Sequence, residues 1–378
     1  MKLSSDDLDV FFDQRHQTLA AELQRAAPEI EKAATWSGGG EARAQAVARA
    51  MGQMGLYEWL LPRTPAVDVR ALCLVREMLG YVSPLADAIF AVQGLGAYPL
   101  VASGDAPAEA DQLRSGEAIA AFALTEPEAG SDVGSLRTSA QREGETWVLD
   151  GDKTLISNAG LATHYLVFAT VDPAAGKKGI TAFWVPAATA GLAVEPMALG
   201  IEHPIGRVVL RGCRVAAGAV IGEVGGGFGL AMRTLDTFRT TVGAAAVGMA
   251  RRAFDEARAH VTARVQFGAP LADTQLVQAH LADMACDLDA ARLLVLRAAL
   301  AADRGQVVTV PAAMAKLVAT ERAQKVIDTA VQLLGGRGVC QGEVVEALYR
   351  AVRPLRIYEG TSEIQRIVIG RAIARGNA

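Results

Sequence analysis

The sequence contains few cysteines and few aromatic residues. Only four of its 378 residues are cysteines, and aromatic residues make up 5%. The cysteines lie far apart, at Cys73, Cys213, Cys286 and Cys340, with no C-x-x-C pair and no histidine at ligand spacing. We therefore expect neither a disulfide framework nor a metal site. We predict four buried thiols, because free cysteine is among the residues most often found in protein interiors.

The sequence also lacks a cluster of charges of one sign. The chain has 37 Lys and Arg against 41 Asp and Glu, a net charge of -4, and its basic residues are scattered. This pattern argues against a nucleic-acid partner. Long apolar runs are missing too: none reaches the roughly 18 residues of a membrane span, and residues 1–7 hold no apolar leader segment. We expect a cytoplasmic protein without a membrane span.

Apolar residues are nevertheless abundant, at 51% of the chain, with 21% charged residues. Such a composition is typical of a soluble protein with a large core. At about 100 to 200 residues per domain, the length predicts two or three domains or one interlocked unit.

Three regions differ in their patterns. Residues 1–119 are rich in alanine with apolar residues at helical spacing, and residues 120–224 contain short β runs separated by glycine, proline and aspartate. Residues 225–378 carry helical periodicity, with long helices predicted over 228–264, 274–303 and 311–334 and a last helix that starts at Ser362 with a Ser-Glu-Ile-Gln capping box. The pattern predicts an α+β fold with an N-terminal helical domain, a central β domain and a C-terminal four-helix bundle.

The first motif is Phe122-Ala-Leu-Thr-Glu-Pro-Glu-Ala-Gly-Ser-Asp132, at the start of the β region. It could be only a turn, since Pro, Gly, Ser and Asp all favour turns. Alternatively, backbone donors and the hydroxyls of Thr125 and Ser131 bind a flat polar ring system, with Phe122 or Leu124 as an apolar neighbour.

The second motif is Gly151-Asp-Lys-Thr-Leu-Ile-Ser-Asn158, which by itself could be a hairpin with a polar edge. In this order and at this distance, the two motifs resemble T-E-P-x-A-G-S-D and G-x-K-x-W-I-T/S-N of the acyl-CoA dehydrogenase family. The resemblance implies bound FAD, contacted by the first motif and by Leu155 and Ser157. The family has Trp or Phe where this chain has Leu155, so an aromatic wall against the flavin is absent or supplied elsewhere.

The third motif, Ile357-Tyr-Glu-Gly-Thr-Ser-Glu-Ile-Gln365, is similar to the family's carboxy-terminal I-Y-E-G-T signature. The resemblance implies that Glu359 is the catalytic base, that Gly360 contacts substrate and that Thr361 and Glu363 contact the flavin. A simpler role for Glu359 is to complement a helix dipole. Some family members carry the base at the position of Phe238 instead, where a phenylalanine cannot serve.

Further motifs lie in the sequence between the second motif and the third. Asp236 and Arg239 match the family's L-D-x-x-R, which implies contacts to CoA and the acyl cleft, although at i and i+3 they could form a surface ion pair. The remaining motifs imply contacts to the flavin pyrophosphate and adenosine across a subunit interface, for which guanidinium and glycine amides are suited. They comprise Arg264, Phe267, Gln275, Gln332, Gly335 and Gly336.

Among the departures from the family pattern is the stretch 202–207. Glu202-His-Pro-Ile-Gly-Arg207 stands where the family usually has G-x-R-x-S-x-T. We expect this departure to affect substrate recognition and packing more than the redox chemistry.

The resemblance implies FAD-dependent α,β-dehydrogenation of a saturated acyl-CoA or a carrier-bound acyl thioester. Glu359 would take the α-proton and flavin N5 the β-hydride, and burial would raise the pKa of Glu359 toward working pH. Electron-transfer flavoprotein is the implied acceptor, and a homotetramer arranged as a dimer of dimers the implied assembly. The alternatives are an acyl-CoA oxidase or flavin monooxygenase of the same fold, and a catalytically silent partner subunit.

Overall fold

The structure, a computed structural model, describes residues 8–35, 37, 39–63, 67–105 and 108–376. The predicted absence of a leader in residues 1–7 thus lies outside the described residues. The α-helices are α1 Gln14–Ala34, α2 Gly40–Gln53, α3 Val69–Val82, α4 Pro84–Ser103, α5 Ala110–Ser115, α6 Gly227–Ala263, α7 Gln275–Asp303, α8 Thr309–Leu334, α9 Val344–Val352 and α10 Ser362–Ala374. The strands are β1 Ala120–Ala123, β2 Ser139–Glu143, β3 Thr146–Ser157, β4 His164–Thr170, β5 Ile180–Pro186, β6 Leu192–Pro196, β7 Ile205–Ala216, β8 Val220–Ile221, β9 Val265–Gln266 and β10 Ala269–Pro270.

The predicted fold class is confirmed: helices come first, a β-sheet lies in the middle of the chain and long helices follow. The three long helices predicted in the C-terminal region correspond to α6, α7 and α8, with ends within two residues of the prediction. The predicted capping box at Ser362 is wrong by one position. Thr361 is the N-cap of α10, and its hydroxyl accepts a hydrogen bond from the Ile364 amide at 3.3 Å.

The chain forms two compact units that are not continuous in sequence. The first, called here the bundle unit, contains Met1–Pro28, Asp68–Asp87 and Arg239–Ala378. The second, the sheet unit, contains Glu29–Val67 and Ala88–Phe238. The sequence-based boundaries at residues 119/120 and 224/225 stay a prediction.

The sheet unit is organised around one large sheet with the strand order β6-β7-β3-β2-β4-β5-β8, and β1 pairs in parallel with β4. The long antiparallel pair β3 and β7 has a register shift between Lys153 and Ile156. Leu149, Val167 and Phe183 are among the fully buried side chains of its core. The register shift changes which side chains face the core just before the end of β3.

The bundle unit packs α6, α7, α8 and α9 around small and branched apolar side chains. Glycine permits a very close approach of α3 and α6. A Cβ at Gly248 would lie 2.1 Å from the carbonyl oxygen of Glu77, and one at Gly80 would lie 2.4 Å from that of Ala245. The two helices therefore contact each other backbone to backbone, and any side chain at these positions would push them apart.

The prediction of four buried thiols is wrong for two of them. Cys73 and Cys213 are buried, whereas Cys286 and Cys340 are exposed. Cys286 lies two residues after the buried Met284 on α7, which places it on nearly the opposite face of the helix. Cys340 lies in a turn after α8, where its Sγ is 3.2 Å from the carbonyl oxygen of Gly336.

One helix of the described chain, Pro84–Ser103, is long and apolar enough to span a membrane by length and composition alone. In its most apolar 18-residue window, 78% is buried inside the protein, as in the core helix of a soluble domain.

Candidate active site

Glu359 lies in a short loop between α9 and α10 whose backbone is left-handed at two successive residues. Glu359 has a φ of 54° and Gly360 a φ of 94°. Left-handed backbone is costly for a residue with a side chain, so it persists only where surrounding contacts hold it. At Gly360 the space is limited as well, because a Cβ there would lie 2.6 Å from Nε2 of Gln365.

Three side chains donate hydrogen bonds to the carbonyl oxygens of this loop. Nε of Arg239, on α6, is 3.0 Å from the carbonyl oxygen of Glu359. The carbonyl oxygen of Gly360 accepts from Nζ of Lys316, on α8, at 2.7 Å and from Nε2 of Gln365, on α10, at 2.9 Å. Elements far apart in the chain thus fix the orientation of both peptide groups.

The carboxylate of Glu359, unlike the carbonyl oxygens of the loop, has an oxygen that accepts no described hydrogen bond. Its Oε2 is inaccessible to solvent and has no hydrogen-bond partner within the part of the chain that the structure describes. Burial raises the pKa of Glu359 to about 6, opposed by the positive charges of Arg76, Lys316 and Arg239. Thr361, rather than Glu359, caps the following helix. A carboxylate with a free oxygen and a pKa near working pH is suited to accept a proton.

A buried ion pair contributes to the electrostatics of Glu359. Arg76 on α3 donates from Nε and Nη2 to the carboxylate of Asp87 on α4, at 2.8 and 2.9 Å, and from Nη1 to Thr241 Oγ1 at 3.0 Å. Both charged side chains are almost completely buried. Asp87 raises and Arg76 lowers the pKa of Glu359, so their effects partly cancel. Sequence reasoning missed this pair, although an arginine within the apolar run of α3 was a signal for it.

In the sheet unit, the structure brings the two flavin-type motifs side by side. The Thr154 amide donates to the carbonyl oxygen of Thr125 at 2.9 Å. Nζ of Lys153 lies 2.8 Å from Oε1 of Glu126 and 3.2 Å from the carbonyl oxygen of Leu124. Glu126 also accepts from the backbone of the segment that follows the first motif. The turn interpretation of that motif is therefore incomplete, because the turn is bound to β3 by a buried ion pair.

The side chains left accessible by this arrangement match the chemistry of a flavin ring. Ser131 is exposed, Thr125 and Ser157 are half-buried, and all three offer hydroxyls. Leu155 has a φ of 54° at the register shift, and its side chain is 51% exposed. An exposed aliphatic side chain beside hydroxyl groups suits a flat ring with polar edges. The residues present thus fit the flavin, with Leu155 in place of the family's aromatic residue.

The first motif also contains the two apolar candidates for contact with the flavin. Leu124 is buried, and Phe122 is half-buried with its ring 4.9 Å from that of Phe168.

His203, from the stretch that departs from the family, contacts one of the hydroxyls. Its Nε2 lies 2.6 Å from Oγ of Ser157. Burial lowers the pKa of His203 to about 4, so the imidazole is neutral at pH 7. No sequence pattern indicated this contact, since the two residues are far apart in the chain.

The candidates for the flavin phosphates and adenosine all lie at the surface of the bundle unit. Phe267 is fully exposed in the β9–β10 hairpin, with a φ of 53°. At Gly335 and Gly336 an added Cβ would meet no described atom within 4 Å. The other exposed members of this set are Arg264, Gln275 and Gln332, and Glu363 of the third motif is exposed as well. These exposed hydrogen-bond donors and the exposed ring of Phe267 are accessible to a ligand such as the phosphates and adenosine of FAD.

The ring of Phe238 is fully buried and 5.9 Å from that of Tyr98. Asp236 is half-buried, and its neighbour on α6, Arg239, is bound to the Glu359 loop. The structure thus gives Arg239 a role other than that of a surface charge.

Sequence comparison identifies two family domains. The acyl-CoA dehydrogenase middle domain matches residues 121–213, and the acyl-CoA dehydrogenase C-terminal domain matches residues 225–374. The Mycobacterium tuberculosis protein named probable acyl-CoA dehydrogenase FadE25 is 41% identical over 315 residues, covering 82% of this chain and 81% of that protein. The mouse mitochondrial short-chain specific acyl-CoA dehydrogenase is 38% identical over 335 residues, covering 86% and 81%.

Comparison with solved structures points to the same family as the sequence matches. A chain from a study of the electron transferring flavoprotein of Acidaminococcus fermentans superposes with a TM-score of 0.89 at 30% identity and covers 99% of this chain and 100% of its own length. Butyryl-CoA dehydrogenase from Megasphaera elsdenii gives 0.88 at 30% identity, covering 96% and 99%. A glutaryl-CoA dehydrogenase from Mycobacterium smegmatis in complex with FADH2 gives 0.87 at 25% identity, covering 98% and 97%. With its two matched domains, its loop around Glu359 and its paired flavin motifs, this chain belongs to the acyl-CoA dehydrogenase family of FAD-dependent oxidoreductases.

Proposed function

We propose that this protein catalyses the α,β-dehydrogenation of a saturated acyl-CoA, with Glu359 as the base that removes the α-proton. One observation carries the proposal: Oε2 of Glu359 is shielded from solvent and has no partner among the described residues, while the loop beneath it is held by hydrogen bonds from three side chains. A held carboxylate with a free oxygen has the properties of a base that acts on a bound substrate.

The reaction removes a proton from Cα and a hydride from Cβ of the acyl group. Bound FAD supplies the acceptor for the hydride, which no side chain can accept. Glu359 removes the α-proton as the thioester gains enolate character, and its carboxylate becomes a carboxylic acid. Burial helps this step, because a pKa of about 6 makes Glu359 a stronger base than an exposed glutamate.

Thr125, Ser131 and Ser157 are the side chains that would hold the polar edge of the ring, with Leu155 against it. Their accessibility in the sheet unit supports this assignment. We further propose that the phosphates and adenosine are bound by the surface set of the bundle unit, which includes Arg264 and the glycines near residue 335.

Assembly, electron acceptor and cellular context are further parts of the proposal. A homotetramer is supported by Phe267, because a fully exposed aromatic ring gains from being covered by another subunit or its ligand. Electron-transfer flavoprotein as the acceptor is supported by the likeness to the Acidaminococcus fermentans chain. We propose a cytoplasmic enzyme of fatty acid metabolism whose acyl group is carried by CoA or by a carrier-protein pantetheine.

Anaerobic bleaching of the flavin tests the proposed function. Purified protein is mixed with saturated acyl-CoA thioesters of increasing chain length and with acyl-carrier thioesters, and the loss of the yellow flavin absorbance is followed. We expect rapid bleaching by at least one thioester and no bleaching with Glu359→Gln, which should still bind FAD. Bleaching of the Glu359→Gln variant at the wild-type rate would remove Glu359 from the role of base.

The same samples separate the rival functions. Slow reoxidation of the reduced enzyme in air supports a dehydrogenase, whereas rapid reoxidation would indicate an oxidase. A colourless protein that no thioester changes would indicate a catalytically silent subunit.

A further inference from the structure

Lys316 places a positive charge inside the bundle unit. It lies on α8 between small apolar residues, and its side chain is completely buried. Burying an ammonium group is unfavourable unless it is well paired, and a protein with an apolar side chain of similar size at the same position is often as stable or more stable. The fold by itself does not need a charge at this position, so the role of Lys316 depends on what its ammonium group contacts.

The described partner of Lys316 Nζ is not a carboxylate but a backbone carbonyl oxygen. The distance from Nζ to the carbonyl oxygen of Gly360 is 2.7 Å. The same oxygen accepts from Gln365, and the preceding carbonyl oxygen, that of Glu359, accepts from Arg239. Two successive peptide groups are therefore fixed in direction by donors from α8, α10 and α6.

These bonds act on the left-handed segment that carries the base. The backbone dihedral angles of Glu359 and Gly360 determine where the Cα–Cβ bond of Glu359 points, and both residues have positive φ. Such a conformation is strained for a residue with a side chain and persists only where surrounding contacts hold it. A charge-assisted hydrogen bond is stronger than a neutral one, so the ammonium group is an effective anchor.

The charge of Lys316 acts on the carboxylate as well. The charged groups that influence Glu359 are Arg76 from α3, Asp87 from α4, Arg239 from α6 and Lys316 from α8. Lys316 in turn is influenced by Glu359, Arg239, Glu321 and Glu363. Burial lowers the pKa of Lys316 to about 8, so the ammonium form persists at pH 7.

We propose that Lys316 is a positioning residue for the base: its ammonium group holds the Gly360 carbonyl so that the Glu359 carboxylate keeps its direction, and its charge favours the ionised carboxylate. This inference rests on the proposed function of Glu359. It assigns the buried charge on α8 to the chemistry of the site rather than to the stability of the bundle.

The test compares Lys316→Met with wild type and with Lys325→Met. Lys325 lies on the same helix with its side chain 63% exposed and pairs with Asp287, which makes it a matched control. For each protein, FAD content, the denaturant midpoint and the anaerobic rate of flavin reduction by a saturated acyl-CoA are measured from pH 5.5 to 8.5. Glu359→Gln is measured alongside.

We expect Lys316→Met to bind FAD and unfold at the same or a higher denaturant concentration than wild type. At pH 7 its flavin should be reduced at least tenfold more slowly than that of wild type. The acid limb, which is the fall in rate as the pH is lowered, should move to higher pH. Lys325→Met should match wild type in the rate of flavin reduction and in the position of the acid limb. A purely structural lysine would lower the denaturant midpoint without moving the acid limb.

The inference is overturned if Lys316→Met keeps a rate within twofold of wild type with an unchanged acid limb, or if its loss of rate follows its loss of FAD. Should the methionine variant be recovered only as aggregate, Lys316→Gln, which keeps a polar end group, serves for the same comparison. An active Glu359→Gln would instead refute the proposed function, so the two failures are distinguishable.

Discussion

Lys153 and Glu126 form a buried ion pair inside the sheet unit, with Nζ of Lys153 2.8 Å from Oε1 of Glu126. The two side chains are 0% and 6% exposed. Glu126 also accepts the backbone amides of Arg137 at 2.6 Å and Thr138 at 2.9 Å. Burial alone would raise the pKa of Glu126, but Lys153 and these donors outweigh it and hold the pKa below its ordinary value. Although Glu126 stands in the middle of a flavin motif, it is therefore a structural carboxylate.

Replacing Lys153 should destabilise the sheet unit. In Lys153→Met, the carboxylate of Glu126 stays buried without its cation, and we expect the free energy of unfolding to fall by about 3–5 kcal/mol. Denaturant unfolding at pH 7 measures the change. The control is Arg214→Met, which removes an ion pair to Glu143 whose two side chains are more than half exposed and should cost less than about 1 kcal/mol. Equal losses in the two variants would contradict the structural role of the buried pair.

Glu359 should reduce stability at neutral pH while it supplies a base. Its pKa is about 6 in the folded protein against an ordinary 4.5, so the folded state binds the proton more tightly than the unfolded state. The stabilisation is complete below pH 4.5 and is lost as the pH rises through 6. We expect Glu359→Gln to be more stable than wild type by up to about 2 kcal/mol at pH 7.5, as 1.36 kcal/mol per pKa unit implies.

Unfolding free energies of wild type and Glu359→Gln from pH 4 to 8 check this prediction. The difference should vanish near pH 4, where Glu359 is protonated in both states. A variant that is less stable than wild type across the whole range would show that the carboxylate is paired in the folded protein.

Gly360→Ala should damage the site. A Cβ at this residue would lie 2.6 Å from Nε2 of Gln365, and the φ of 94° is unfavourable for alanine. We expect a loss of stability of at least about 1 kcal/mol and a fall in the rate of flavin reduction of about tenfold or more, because the adjacent carboxylate is redirected. Gly342→Ala is the control: its φ is 97°, but its Cβ would meet nothing within 4 Å.

Thermal unfolding and stopped-flow flavin reduction measure the two effects. Both variants should lose stability through backbone strain, and only Gly360→Ala should lose rate. If Gly342→Ala slows the reaction as much, the effect of Gly360→Ala is not specific to the site.

His203 should make stability fall in acid. Its pKa is about 4 in the folded protein and 6.5 in an exposed histidine, because burial disfavours the charged ring. A lowered pKa stabilises the folded state above pH 6.5, and this contribution is lost as the pH falls toward 4. We expect the difference in unfolding free energy between wild type and His203→Asn to change by about 3 kcal/mol between pH 7.5 and pH 4, at 1.36 kcal/mol per pKa unit.

Denaturant unfolding of wild type and His203→Asn between pH 4 and pH 7.5 measures how the difference in their unfolding free energies changes with pH. The subtraction removes the carboxylates, which titrate alike in both proteins. Parallel curves for the two proteins would mean that His203 is accessible to solvent when neutral and when charged.

The sequence predicted the elements of regular structure well because periodicity reports burial. The long helices α6, α7 and α8 carry apolar residues at helical spacing over more than 25 residues each, so their ends were found within two positions. Local cues were less reliable. Ser362 and Thr361 both suit an N-cap, and the structure uses Thr361 because Ser362 donates its hydroxyl to Glu321 at 2.6 Å.

The partners of charged residues could not be predicted. Arg76 and Asp87 are 11 residues apart and Lys153 and Glu126 are 27 apart, and nothing in the spacing of either pair indicates an ion pair. Lys316, in the alanine-rich part of α8, was not among the predicted site residues. Its contact with Gly360, 44 residues later, depends on how α8 packs against the loop before α10.

The sequence by itself determined the order of helices and strands, the family and the residue types from which a base and a flavin site are built, because short motifs preserve local chemistry. Tertiary structure alone decided that Glu126 acts as a structural partner and that Oε2 of Glu359 is buried without a partner among the described residues. Glu126 and Glu359 are both glutamates within motifs, but Glu126 meets a buried lysine and two amides whereas Oε2 of Glu359 meets no described partner. The cost of burying a charge depends on what lies within hydrogen-bonding distance, which only the folded chain defines.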